Sequence, residues 1–318
     1  MNKKIVLPLL LIVLAAALFF IPVNQEKTVS VNAPFLNVFT AVFTPNKWVN
    51  WQASLRKATV TDSGKITFQK QRGRFTIKYD SLLISVKQTG TRAEITQTAG
   101  TTLSHYTYDI VPGTFDKKQG NTEVIASREV SLFGYLKGLL GSTDFSDSHI
   151  DDIKTYFETD SLLYGFKVFK NGVPEADLIE VSKLVLKKDK FTTAAALLAD
   201  LQAYVKKNNI KQMQPLIAQF LRKGTDSTKV NVGFFIDRQV KPDNIVHYVR
   251  MPLGGALYVA AYHGPFNKRQ KVYNALDQYF TDHLYTQAIV PFEMYLDNKL
   301  PTSDTSKVNI RLNYTAYY

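Results

Sequence analysis

The stretch 197-LLADLQAYV-205 recurs as 272-VYNALDQYF-280, with Leu201 matching Leu276 and Tyr204 matching Tyr279 at an offset of 75. The match continues at Pro215 and Pro291, offset 76, and at 228-TKVNV-232 and 306-SKVNI-310, offset 78. Self-similarity of this kind marks a duplicated supersecondary unit, and the small drift falls in turns. Each copy reads as strand, helix, strand, strand. The first places strands near 181–188, 215–221 and 229–237 with a helix at 192–207; the second places them near 255–263, 290–297 and 307–316 with a helix at 266–283. Val272, Ala275, Leu276, Tyr279 and Phe280 share one helical face. Residues 176–318 therefore form one domain of two units, about 176–240 and 246–318, expected to pack as a pseudo-twofold pair of antiparallel sheets with helices on one face.

Strand alternation allows the copies to be compared face by face. The reading places Leu184, Leu186, Leu216, Ala218 and Phe220 of the first unit toward the helices, with Val259, Ala261, Phe292, Met294 and Leu296 as counterparts. On the opposite face Lys183 and Lys187 become Tyr258 and Tyr262, Ile217 becomes Glu293 and Gln219 becomes Tyr295. The second unit thus gathers three tyrosines and one carboxylate, and Phe235 approaches the same groove. Aromatic rings attract a cation by about 0.5 to 2 kcal/mol each, and a carboxylate adds charge pairing where water is scarce. The expected ligand set is Glu293, Tyr258, Tyr262, Tyr295, Arg311 and Phe235, and the expected ligand a hydrophobic or cationic small molecule. A hairpin closing about Thr302 instead sets Glu293 opposite Arg311 as a cross-strand ion pair. Sequence leaves both readings open, along with a third in which Arg311 orients the carboxylate or meets an anionic ligand.

The doubled unit, with 256-ALYVAAYHGPF-266 opening its second copy and 290-VPFEMYLDN-298 following the helix, resembles the gyrase-inhibitor-like (GyrI-like) family, the effector-binding domain also found in AraC-type regulators. The resemblance covers about residues 176–318 and rests on Tyr262, Gly264, Pro265 and Phe266 of the turn and Pro291, Glu293 and Tyr295 of the strand. It implies small-molecule binding between the two units with the glutamate of the second as acidic contact. This chain departs from the regulators in showing no DNA-binding domain.

The other half reads as 28-TVSVNAPFLNVFTAVFTPNKWVNWQ-52, a strand stopped at Pro34 and a helix carrying Phe35, Val38, Phe39 and Val42, then a short helix around Trp48 and Trp51. Strand-like runs follow at KITFQK, GRFTIKYDSLLISVK, RAEITQT, LSHYTYDIV and TEVIASREVSL, and a long helix at 146–166 closes this half. The order resembles the START/polyketide-cyclase superfamily with its helix-grip fold, over about residues 26–167. That resemblance implies a curved sheet wrapped on the last helix, often around an apolar cavity. The fold class is α+β, with domains at 1–25, 26–170 and 176–318.

At 318 residues the chain suits two domains of about 150. It holds no cysteine, which excludes disulfides, thiolate metal sites and lipoprotein anchoring. The net charge of +12 is spread evenly: 19 Lys+Arg stand against 13 Asp+Glu in 171–318, and 20 against 14 before it. Without a basic tail or a recognition-helix pattern, no nucleic-acid partner is expected. Isolated histidines and missing catalytic motifs give no metal, no cofactor and no catalytic residue; an enzyme reading survives only as a small-molecule hydrolase with Glu293 as general base. Residues 5–23, IVLPLLLIVLAAALFFIPV, are uncharged and about as long as a bilayer core requires. They follow Lys3 and Lys4 and end in Phe19, Phe20, Ile21 and Pro22 where a cleavable signal would place a small-x-small site, which favours an uncleaved anchor with the soluble domains on the outer, periplasmic side. If the segment is cleaved the protein is secreted. The rival to a ligand-binding protein is a protein-interaction module at the membrane, its partner unknown.

Overall fold

The computed structural model describes residues 20–113, 122–139, 148–172, 177–213, 215–251 and 255–317. They divide into two compact units between Leu163 and Tyr164. Most of the expected anchor lies outside the described residues; its end, Pro22 and Val23, already belongs to a β-strand. Among the described residues no helix is long and apolar enough to cross a membrane.

The first unit begins with strand β1 (Pro22–Val31), followed by helices α1 (Phe35–Phe43), α2 (Trp48–Trp51) and α3 (Ala53–Asp62). Strands β2 (Thr67–Gln71), β3 (Arg74–Tyr79), β4 (Leu82–Thr89), β5 (Arg92–Ala99), β6 (Thr102–Pro112) and β7 (Thr122–Ser131) come next, then α4 (Leu132–Leu139), α5 (Ile150–Phe157) and α6 (Asp160–Leu163). All seven strands form one antiparallel sheet in the order β1-β7-β6-β5-β4-β3-β2, so the first strand pairs with the last. Asp80, at φ 50°, makes the turn that divides the expected run 73–87 into β3 and β4.

The side chains of Trp48 and Trp51 are fully buried, and each satisfies its indole N–H on a carbonyl of α1, Val42 at 2.8 Å and Ala41 at 3.1 Å. Ile150, Ile153, Tyr156 and Phe157 of α5 complete the same core. The single helix expected over 146–166 is divided in two: Glu158 closes α5 on the Lys154 carbonyl, and the Thr159 carbonyl accepts the amides of Leu162 and Leu163 in α6. Threonine is a favoured residue for starting a helix.

The second unit contains β8 (Val168–Gly172), β9 (Asp177–Leu186), α7 (Lys190–Lys207), β10 (Leu216–Lys223), β11 (Ser227–Ile236) and β12 (His247–Arg250). Its second copy supplies β13 (Ala256–Pro265), α8 (Gln270–Asp282), β14 (Thr286–Gln287), β15 (Phe292–Tyr295) and β16 (Lys307–Tyr317). The two expected sheets are one, in the order β12-β9-β11-β10-β15-β16-β13-β8, with β14 added on β16. The seam joins β10 to β15, with Leu216 opposite Tyr295 and Ala218 opposite Glu293. From that seam the order of strands repeats outward in both directions, which is the pseudo-twofold of the sequence repeat. β8, which the sequence assigned to the end of the first domain, pairs with β13 and so belongs to this sheet.

The expected faces need correction. Ala256, Tyr258, Ala260, Tyr262 and Tyr295 join Leu197, Leu201, Val272, Leu276 and Phe280 of the helices in one core, as do Leu216 and Ala218. Leu257, Val259, Phe292 and Met294 lie on the opposite face with Ile217 and Phe235. Leu184 and Leu186, expected inside, are 62% and 51% exposed. A slip of one residue exchanges the faces of a strand. Matching Leu216 to Glu293, offset 77, restores the parity that the prolines at offset 76 had shifted.

Candidate functional site

The four residues of β15 are all buried, and their alternation sends Phe292 and Met294 to one face and Glu293 and Tyr295 to the helices. Glu293 has Ala218 on one neighbouring strand and Leu312 on the other, and its side chain is 0% exposed. A lone buried carboxylate would cost several kcal/mol. Two of its partners come from the start of α8 and one, Tyr295, from its own strand. Arg269 donates Nε to Oε1 at 2.6 Å, the Tyr273 hydroxyl donates to Oε1 at 2.7 Å, and the Tyr295 hydroxyl donates to Oε2 at 2.5 Å.

Arg269 immediately precedes α8 and Tyr273 stands four residues on, so the two project from one side of the first turn. The guanidinium is itself fixed: it donates to the Phe266 carbonyl at 3.2 Å and lies over the Phe266 ring, 3.5 Å from its centroid. Burial opposes its positive charge, yet the charge and hydrogen bond of Glu293 outweigh that and hold its pKa above the ordinary value. Burial, then the negative charge of Glu293 and the bond to it, push both Tyr273 and Tyr295 upward. The hydroxyls therefore remain protonated donors. Next to them Tyr314 donates to Asp277 Oδ1 at 2.7 Å, and burial followed by that bond raises its pKa too.

Of the six residues singled out in sequence, Glu293 and Tyr295 meet. Tyr258 lies two strands away, with β16 between, among Tyr279, Phe280 and Tyr285 at centroid distances of 5.6, 5.3 and 4.9 Å. Tyr262 folds back over Gly264 and donates to the Pro265 carbonyl at 2.7 Å. A Cβ on Gly264 would stand 2.7 Å from that hydroxyl, which accounts physically for the Tyr-x-Gly-Pro pattern as a turn lock. Phe235 is buried on the far face. Arg311 is exposed there, opposite Met294 rather than Glu293, because the hairpin closes one residue away from the symmetric register. Sequence reasoning missed Arg269 and Tyr273; their four-residue spacing at the helix start was the available signal.

Beside Arg269 a pocket of about 240 Å³ opens between the two copies. Lys187, Lys190, Phe220, Arg222, Thr225, Ser227 and Thr228 line it from the first copy, and Phe266, Arg269 and Gln270 from the second. A general base must present a free lone pair to its substrate, whereas both oxygens of Glu293 are engaged and enclosed. In the first unit a depression of about 300 Å³ is lined mainly by polar side chains, among them Glu94, Thr96, His105, Thr107, Arg128 and Glu129. Among the described residues no group of three or more His, Cys, Asp or Glu is placed to hold a metal ion.

No family model matches the chain, and no curated protein matches it. Among solved structures it is similar to the EcmrR C-terminal domain at 14% identity, covering 48% of this chain and 98% of that one with a TM-score of 0.39. A hydrolase from Listeria innocua is similar at 14% identity, over 48% of this chain and 92% of that one, with a TM-score of 0.37. The di-domain ARO/CYC StfQ from the steffimycin biosynthetic pathway is similar at 12% identity, over 92% of this chain and 84% of that one, with a TM-score of 0.29.

Proposed function

We propose that this chain is a membrane-tethered small-molecule-binding protein, held by the apolar run that begins at residue 5 and ends before β1, with both units on the outer side, whose second unit takes its ligand in the pocket between the two copies. The observation that carries this reading is the pocket wall. Its Arg269 is fixed on a fully buried Glu293 by a 2.6 Å bond, with two tyrosine hydroxyls on the same carboxylate. A buried ion pair adds little to stability over apolar packing of the same volume. Placed at the edge of a concave pocket it holds a guanidinium in a fixed orientation, and accurately placed polar groups are what ligand specificity needs.

The test is a thermal-shift panel on the full chain in detergent, with hydrophobic cations, organic anions and neutral amphiphiles. A ligand at 100 times its dissociation constant stabilises the folded state by about 2.7 kcal/mol. Stabilisation by one class of compound, weakened by Phe220→Ala within the pocket, is the expected result. A panel in which no compound shifts the wild-type transition overturns the reading.

A further inference from the structure

Resting on that reading, we infer that the pocket selects a small organic anion, a carboxylate or phosphate on a body about the size of one ring, rather than a cation. Glu293 is the acid that a cation would need, and Arg269, Tyr273 and Tyr295 already occupy it. The residues lining the pocket include Lys187, Lys190, Arg222 and Arg269 and no carboxylate. Two acids outside the lining pair with two of these: Glu293 with Arg269, and Asp304 with Lys190 at 2.6 Å. Among the described residues, Lys187 and Arg222 have no carboxylate paired with them. Arg222 rests its Nε on the Gly224 carbonyl at 3.0 Å, a neutral acceptor that orients the guanidinium and leaves its charge uncompensated.

The apolar part of the ligand follows from the rings. Phe220 and Phe266 pack edge to face at 5.1 Å, with Phe191 5.3 Å from Phe266, giving an aromatic wall beside the cations. A cavity of about 150 Å³ is enough for benzene. The 240 Å³ here accommodates one ring and its charged head and falls short of the roughly 300 Å³ at which pockets for drug-sized ligands begin.

The experiment uses four probes of one shape: benzoate, phenyl phosphate, benzylammonium and benzyl alcohol. Binding to the full chain is measured by saturation-transfer NMR and titration calorimetry at low and high salt. Benzoate and phenyl phosphate are expected to bind, more weakly at high salt because the cations are near the surface. Lys187→Met and Arg222→Met should each reduce that affinity about tenfold, the scale of one charge-assisted hydrogen bond. Both side chains are exposed, so the melting transitions of the variants should match the wild type. Preference for benzylammonium or benzyl alcohol would overturn the anionic assignment and leave small-molecule binding standing. Anion binding that neither variant weakens would overturn it as well, by placing the anion elsewhere. If none of the four binds the assignment is wrong, and the broader compound panel decides whether small-molecule binding falls with it.

Discussion

Arg269 Nε stands 2.6 Å from Glu293 Oε1, although the residues are 24 apart in sequence and belong to different elements. The bond ties the first turn of α8 to β15, both in the second copy, at the strand that forms the seam with β10 of the first. Removing one partner of a buried pair typically costs about 3–5 kcal/mol, whereas replacing both with apolar groups is often close to neutral. Arg269→Met is therefore expected to destabilise strongly, and Arg269→Met with Glu293→Leu to recover part of that loss, the remainder reflecting the Tyr273 and Tyr295 hydroxyls left without their acceptor. Urea unfolding of the two single variants and the double variant measures the coupling. Additive effects would show that the two side chains do not act as a pair.

Tyr295 contributes separately, through its 2.5 Å bond to Oε2. Tyr295→Phe keeps the ring in the core and deletes one donor to a buried charge, a loss of about 1.5–3 kcal/mol. Denaturant midpoints unchanged from wild type would mean that the carboxylate does not depend on this hydroxyl.

The repeat, the two long helices of the second unit and most strands were legible in the sequence because burial imposes periods of 3.6 and 2 on the chain. The orientation of β15 was not. Its parity depends on how many residues turn between α8 and the strand, and that connection differs between the copies, so matching Pro215 to Pro291 misplaced Glu293 by one position. Alternation also leaves open which face meets the helices: Tyr258 and Tyr262 were read as groove residues and are core. Arg269 escaped notice because its partner is remote in sequence, and only the folded sheet brings the two together.

Gly264 and Tyr262 make a second testable relationship. A Cβ at position 264 would stand 2.7 Å from the Tyr262 hydroxyl and 3.0 Å from Cζ. Gly264→Ala should cost about 1–3 kcal/mol, the scale of overpacking. Combined with Tyr262→Ala, which removes the obstructing ring, the glycine substitution should cost much less. An equal penalty in both backgrounds would place the strain in the backbone, not in the tyrosine.

The proposed tether makes a prediction of its own. The full chain should sediment with membranes and resist alkaline carbonate, and protease added to spheroplasts should reach the soluble units. Ile12→Arg with Leu14→Arg places two charges in the apolar run, each costing about 2.5–3.5 kcal/mol at the centre of a span, and should abolish retention. A doubly charged variant that stays in the membrane fraction would exclude this segment as the anchor.

Alkaline pH should loosen the second unit through the tyrosines on Glu293. Burial, the glutamate charge and the hydrogen bond to it raise Tyr273 and Tyr295 above the ordinary 10.0. Above that value the unfolded chain loses protons that the folded chain retains, so fewer protons are bound in the unfolded state and stability falls as pH rises. Their contribution is complete below pH 10 and declines above it by about 1.4 kcal/mol per pH unit for each tyrosine. Tyr295→Phe removes one titrating group, and its stability should fall less steeply than that of the wild type between about pH 10 and 11. Denaturant midpoints across that interval decide it. Parallel slopes would mean that Tyr295 titrates alike in the folded and unfolded chains, which its enclosure beside a carboxylate does not permit.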